Sequence, residues 1–109
     1  MANHEFEIMP VRPRSGQRYD EYDPEKYNCV SIADDDLAPF LELLSDISFS
    51  WHAVDIRKNG LAYCGVTLIS PSSGAKMLSK IESVSAFAPL AELLKRAISE
   101  NKYVIHFGI

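Results

Sequence analysis

Histidine, cysteine and carboxylate side chains are the groups of this sequence that could perform acid–base, nucleophilic or metal chemistry. Three histidines and two cysteines are spread over its 109 residues: His4, His52, His106, Cys29 and Cys64. Their spacing matches none of the short patterns that bring several ligands to one metal ion, and neither thiol has a neighbour in sequence that would activate it. We therefore expect no catalytic residue, no metal site and no cofactor.

Asp34, Asp35 and Asp36 are three consecutive carboxylates that lack the glycine and the terminal glutamate of a calcium-binding loop. At the start of a helix, carboxylates meet unpaired backbone N–H groups and the positive end of the helix dipole. The triplet therefore predicts a helix cap and first turn. Since the sequence also lacks a glycine-rich phosphate loop and a Gly-x-Ser-x-Gly motif, His52 and Asp55 are catalytic candidates only by default, and we predict that the protein is not an enzyme.

Acidic residues are concentrated in one part of the chain, which carries 15 acidic and 11 basic residues and a net charge of −4. Between positions 20 and 36, seven carboxylates are opposed only by Lys26: Asp20, Glu21, Asp23, Glu25, Asp34, Asp35 and Asp36. A negative patch steers association with a basic protein surface and disfavours phosphate backbones and anionic membranes. The alternative is a solvated loop followed by a capped helix.

The length of the chain is that of one domain with one core. Proline and glycine punctuate the first 26 residues, so we predict an irregular N-terminal arm at 1–26, with one short strand at 5–9, and a single domain at 27–109. The N-terminus lacks the pattern of a signal peptide and no apolar run could span a membrane, so we expect a cytoplasmic protein without a disulfide.

Apolar periodicity predicts the elements of the domain. They are a strand at 27–32, a helix from Asp34 to Ile47, a hairpin of strands 49–57 and 61–69 around Asn59-Gly60, helices at 75–82 and from Ser85, and a strand at 103–107. The segment Ala38–Leu44 returns as Ala88–Leu94, with proline in what should be the first helical turn. Two strand-helix-strand halves predict an α+β, ferredoxin-like split βαβ sandwich, with an antiparallel sheet and helices on one face.

The alternation of side chains along these strands predicts an aromatic face on the sheet, opposite the helices. If Val30, Ile32, Val66 and Leu68 face the helices, then Tyr27, Tyr63 and Trp51 point away from them. Such a surface suits a protein partner, because rigid aromatic rings contribute contact area at small entropic cost. The N-terminal arm or a second copy of the chain could cover it equally well.

Residues Lys58 to Leu68, which include Tyr63 in the sequence Leu-Ala-Tyr-Cys-Gly-Val, resemble the third strand of RNA-recognition-motif domains. This resemblance implies a sheet whose aromatic side chains stack on RNA bases, with Tyr63 as the stacking residue. The acidic balance of the chain argues against RNA.

A non-enzymatic protein-binding module is therefore the function we expect, with the acidic residues, Tyr27, Trp51 and Tyr63 as its contact residues. Size and charge resemble those of inhibitor or immunity-type proteins that block the nucleic-acid-binding site of a basic partner. A small oligomeric ligand-binding or catalytic ferredoxin-like protein is one alternative, and an RNA binder is another.

Overall fold

The computed structural model describes residues 2–19 and 29–109, which form an open antiparallel sheet of six strands and three α-helices. The strands are β1 (Asn3–Ile8), β2 (Val30–Ala33), β3 (Ser48–Trp51), β4 (Arg57–Asn59), β5 (Val66–Ile69) and β6 (Val104–Phe107). The helices are α1 (Asp34–Leu37), α2 (Pro71–Ile81) and α3 (Ala88–Ser99), and 3-10 turns occupy Ala38–Phe40, Glu42–Leu44 and Ser85–Phe87. The predicted α+β class is confirmed.

The strand order, β2-β1-β6-β5-β3-β4, differs from that of the predicted ferredoxin-like sandwich. In that sandwich β2 would lie between β6 and β5, whereas here β6 pairs directly with β5 and β2 stands at one edge. The strand β1, in addition, lies between β2 and β6 and pairs with both. The short strand predicted at 5–9 therefore exists, is longer than expected and is an inner strand of the sheet.

Two hydrophobic clusters lie on opposite faces of the sheet. On one face, Phe6, Ile32 and Phe49 pack against apolar residues of α2 and α3, including Met77 and Leu94. On the other face lies a smaller cluster formed by Met9, Val66, Leu68, Ile105 and Phe107, against which Tyr19 and Tyr103 pack. The helices thus lie on one face, as predicted, but the second face is also buried at its central strands, β5 and β6.

The alternation predicted for β5 is therefore wrong. Val66 and Leu68 were expected to face the helices, but they belong to the cluster on the opposite face, and the next residue, Ile69, packs with the helices. The prediction for β2 is correct, because Val30 and Ile32 both pack on the helix side. Since successive side chains alternate, Thr67 points toward the helices.

The predicted Asn-Gly hairpin is also replaced by another arrangement. Asn59 ends β4 and pairs with Ser48 of β3, so the reversal between these strands falls at residues 52–56, where His52 has a φ of 64°. Gly60 follows with a φ of +80° and leads the chain away from β4. The strand β5 pairs with the other edge of β3, so the two predicted strands are antiparallel neighbours without being joined by the expected turn.

The long helix predicted from Asp34 to Ile47 is instead one α-helical turn followed by two 3-10 turns. Pro39 lies in the first turn of the first 3-10 segment, as Pro89 does in α3, so both prolines mark helix starts as predicted. The N-cap of α1 is Ala33, and the three aspartates lie in the first turn, where the helix dipole favours them. Leu37, Leu44 and Ile47 still reach the core.

Helix α2 begins earlier than predicted, because Ser70 and Pro71 form its cap and first turn and are not part of a loop. Ser70 caps it by accepting a hydrogen bond from the N–H of Ser73, and Pro71 occupies the first turn. Helix α3 and β6 lie within a few residues of their predicted positions. No helix in the described part of the chain is long and apolar enough to cross a membrane.

Candidate functional site

A chain of hydrogen-bonded polar side chains crosses the helix side of the sheet. Nδ1 of His4 lies 2.9 Å from Nε2 of His106, and Nε2 of His4 lies 2.9 Å from a carboxylate oxygen of Asp34. Nδ1 of His106 lies 3.1 Å from the hydroxyl of Thr67, and the hydroxyl of Tyr63 donates to the second Asp34 oxygen at 2.9 Å. We call these five residues the histidine network.

The sheet topology brings the histidine network together from four separate parts of the chain. His4 lies on β1, His106 on the neighbouring β6, and Thr67 on β5, directly opposite His106. Asp34 begins α1 immediately after the edge strand β2, and its backbone N–H donates to the carbonyl of Ala2. Tyr63 lies in the segment before β5.

The network is buried at its centre and opens at one end. His4, Thr67 and His106 have no solvent-exposed surface, the Asp34 side chain is 19% exposed, and Tyr63 is 39% exposed. The ring of Phe6 covers His106 with a centroid separation of 4.7 Å. Only Tyr63 and Asp34 can therefore be reached from solvent.

One set of proton positions satisfies every group of the network when His4 is neutral. A carboxylate only accepts, so Nε2 of His4 donates to Asp34. Burial lowers the pKa of His106 to about 3, an effect to which the neighbouring His4 adds, so His106 is neutral at pH 7. We assign its Nε2–H to donate to His4, while the Thr67 hydroxyl donates to its Nδ1 and itself accepts from the N–H of Ala62 at 2.8 Å. Every hydrogen bond of the network is then donated in the direction of Asp34, and no polar atom of the network lacks a partner.

The electrostatics of the exposed end favour a fixed arrangement over proton transfer. Hydrogen bonds from His4 and Tyr63 lower the pKa of Asp34. The same hydrogen bond to Asp34, followed by desolvation and by the charges of Asp34, Cys64 and Asp35, raises the pKa of Tyr63. A general acid or base works best with a pKa near the working pH, and these two groups are shifted away from neutrality.

Around this exposed end lies a surface that is both acidic and apolar, which we call the acidic end surface. It consists of Asp34, Asp35, Asp36, Tyr63 and Ile109, of which Asp35 and Asp36 are exposed and Ile109 is 40% exposed. Ile109 is tied to it because its backbone N–H donates to the carbonyl of Tyr63 at 2.9 Å.

The predicted contact residues are only partly brought together. Asp34, Asp35, Asp36 and Tyr63 lie at the acidic end surface, whereas five further candidates lie outside the described residues: Asp20, Glu21, Asp23, Glu25 and Tyr27. Trp51 packs against the core on the helix side, with its indole N–H donating to the carbonyl of Gly60 at 2.8 Å. Trp51 and Tyr63 therefore do not form the predicted aromatic face, and the sheet face opposite the helices is itself buried at β5 and β6.

The other candidate groups have structural partners. Neither cysteine forms a disulfide, as predicted, and Cys29 packs on the face opposite the helices while Cys64 is exposed. Asp55 accepts hydrogen bonds from the hydroxyl of Ser15 and the N–H of Gly16. No group of three or more His, Cys, Asp or Glu residues within 2–19 and 29–109 is arranged to hold a metal ion.

Sequence reasoning missed the histidine network because it assigned His4 to an irregular arm and His106 to the last strand of a separate domain. A signal was present: His4, Phe6 and Ile8 alternate with Glu5 and Glu7, which predicts that His4 shares a face with apolar residues. No protein-family model, curated protein or solved structure matches this chain, so the site rests on its own geometry.

Proposed function

We propose that this protein is a non-enzymatic binding module that recognises a basic protein through the acidic end surface. The observation that carries the proposal is the exposed ring of Tyr63, whose hydroxyl is held by Asp34 beside two exposed carboxylates. By size and charge, a partner that itself binds nucleic acid would suit this surface, and the protein would then act as an inhibitor of the immunity type.

Pre-organisation of Tyr63 is the first support. Binding energy at interfaces is concentrated in a few residues, often tyrosine, that need little ordering when the complex forms. Tyr63 is already positioned by Asp34, which is held by the fully buried His4, so its ring has little freedom to lose. The buried network thus acts as a rigid support for an exposed contact residue.

Charge is the second support. Asp35 and Asp36 are exposed in the helical turn that begins at Asp34, the residue that holds the Tyr63 hydroxyl. Carboxylates around an aromatic contact speed association with a cationic surface and repel acidic proteins. The aromatic ring also offers its face to a lysine or arginine side chain of the partner.

The experiment is affinity capture from the native host, followed by binding kinetics with the purified captured protein. We compare wild type with Tyr63→Ala, Asp35→Lys and the control Glu92→Lys, which reverses an exposed charge on α3. Tyr63→Ala should weaken binding by about thirtyfold, mainly through faster dissociation. Asp35→Lys should slow association, and this effect should shrink as salt concentration rises.

Tyr63→Phe tests the role of the network, since it keeps the ring and removes its bond to Asp34. Binding between that of wild type and Tyr63→Ala is expected. The proposal fails if the captured protein is acidic, if RNA or a metabolite is recovered instead, or if Glu92→Lys weakens binding as much as Asp35→Lys.

A further inference from the structure

On the face of the sheet opposite the helices, the segment after β1 lines an open cavity of about 450 Å³. Among the described residues, the lining comes from this one segment: Met9, Pro10, Val11, Arg12, Arg14, Gln17 and Tyr19. Positions 9–19 contain three arginines and no acidic residue, although the whole chain has a net charge of −4. The cavity is therefore a local basic site, separate from the acidic end surface.

The cavity is built on a backbone that is fixed at several points. At one end, the N–H of Met9 donates to the carbonyl of Tyr103 at 2.8 Å, and at the other the N–H of Tyr19 donates to the carbonyl of His52 at 2.6 Å. Between them, Ser15 and Gly16 both donate to Asp55. This anchoring holds the cavity open without using its two lining arginines.

Two guanidinium groups line the cavity, and neither has a carboxylate partner among the described residues. Arg12 lies over the ring of Tyr103, with 5.3 Å between its central carbon and the ring centroid. Within the described part of the chain, neither Arg12 nor Arg14 forms an ion pair, and Asp55, which holds the same segment, accepts hydrogen bonds from Ser15 and Gly16. Guanidinium groups present forked donors that match phosphate oxygens, and stacking on tyrosine fixes the orientation of one of them.

We propose that this cavity binds a small organic phosphate ester. A phosphate monoester carries close to two negative charges at pH 7, which matches two guanidinium groups better than a carboxylate does. The volume is in the range of small-molecule sites and exceeds the need of an inorganic ion. Met9, Pro10 and Val11 supply an apolar wall for the organic group, and Gln17 and Tyr19 supply further hydrogen-bonding groups.

The test is an NMR titration of the full chain labelled with ¹⁵N, using phenyl phosphate, inorganic phosphate and benzoate as probes. Phenyl phosphate should produce saturable shifts confined to residues 9–19 and their contacts, and it should bind more tightly than the other two probes. Arg12→Gln and Arg14→Gln should each weaken it by about tenfold, the effect of losing one charge-assisted hydrogen bond. The control Lys58→Gln, which removes an exposed positive charge on β4, should bind as wild type does.

Three results would overturn the proposal. If phenyl phosphate produces no saturable shift, the cavity is not a binding site. Equal affinity for inorganic phosphate would show that the cavity takes the ion alone, without an organic group. Equal weakening by Lys58→Gln would show that only the overall charge of the protein attracts the probe.

Discussion

The imidazoles of His4 and His106, which are 102 positions apart in the chain, stack with 5.1 Å between their centroids and share a hydrogen bond of 2.9 Å. Both rings are fully buried. Their pairing joins β1 to β6, and Thr67 extends the contact to β5. Three neighbouring strands are thus joined by side chains as well as by their backbone ladder, and the chain of bonds ends at the acidic end surface.

The first prediction concerns the hydroxyl of Thr67. Thr67→Val keeps the shape of the side chain but leaves the N–H of Ala62 and Nδ1 of His106 buried without partners. The free energy of unfolding should fall by about 2 to 4 kcal/mol, the cost of one or two buried unsatisfied groups. Urea denaturation at neutral pH measures it. Thr67→Ser keeps the hydroxyl and should cost clearly less, so equal losses would show that the bonds are not the cause.

The second prediction is a dependence of stability on pH that comes from His106. Burial lowers its pKa from 6.5 to about 3, so between these values the unfolded chain binds more protons than the folded one. Stability is therefore fully present above pH 6.5 and decreases as the pH falls toward about 3, by about 1 kcal/mol per pH unit. Urea denaturation at a series of pH values should show this slope.

His106→Gln separates this effect from other titrations, because glutamine can bond to Thr67 and His4 without titrating. The slope between pH 6.5 and about 5 should flatten in this variant. Asp34 acts in a lower range: its pKa is lowered from 3.8, so its contribution is present above that value and lost as the pH falls further. A slope that persists unchanged in His106→Gln would assign the effect to another group.

Most local elements could be predicted from the sequence, but their order in the sheet could not. Helix α3 and β6 have strong periodicity and clear ends, which are local signals. The position of β1 depends on pairings of His4 with Ile32 and of Phe6 with His106, which no local pattern specifies. A run of residues in which glutamates alternate with apolar side chains predicts a half-buried strand, but it does not predict which other strands pair with it.

The predicted aromatic face is wrong for a related reason. Tyr63 was placed on one strand with Val66 and Leu68, and a single alternation was applied to the whole run. The segment turns before Val66, so Tyr63 is not in phase with β5. Asp34–Asp36 lie in the first turn of a helix, as predicted, because helix-start chemistry depends on neighbouring residues only; the predicted aspartate cap is wrong, since the N-cap is Ala33. The contact between Asp34 and Tyr63 depends on the tertiary fold.

The third prediction distinguishes the two cysteines. Burial, with the added charges of Glu5 and Glu7, raises the pKa of Cys29 to about 12, whereas Cys64 is exposed. The thiolate is the reactive form, so iodoacetamide at about pH 8 should modify Cys64 and leave Cys29 largely unmodified in the folded protein. Mass spectrometry of the digested protein measures this. Cys64→Ser should remove the rapid modification, and equal rates at both cysteines would contradict the burial of Cys29.

The fourth prediction compares two glycines that differ in the space around them. A Cβ at Gly108 would lie 2.2 Å from the carbonyl oxygen of Tyr63, so Gly108→Ala must break the bonds that hold the C-terminus beside Tyr63. We expect lower stability and altered NMR shifts at Tyr63. At Gly74, inside α2, the nearest atoms would lie at an ordinary 3.7 Å, so Gly74→Ala should raise the free energy of unfolding by about 0.5 to 1 kcal/mol through helix propensity. Thermal and urea denaturation of both variants measure the contrast. If Gly108→Ala were as stable as wild type with unchanged shifts at Tyr63, the C-terminus would not support the acidic end surface.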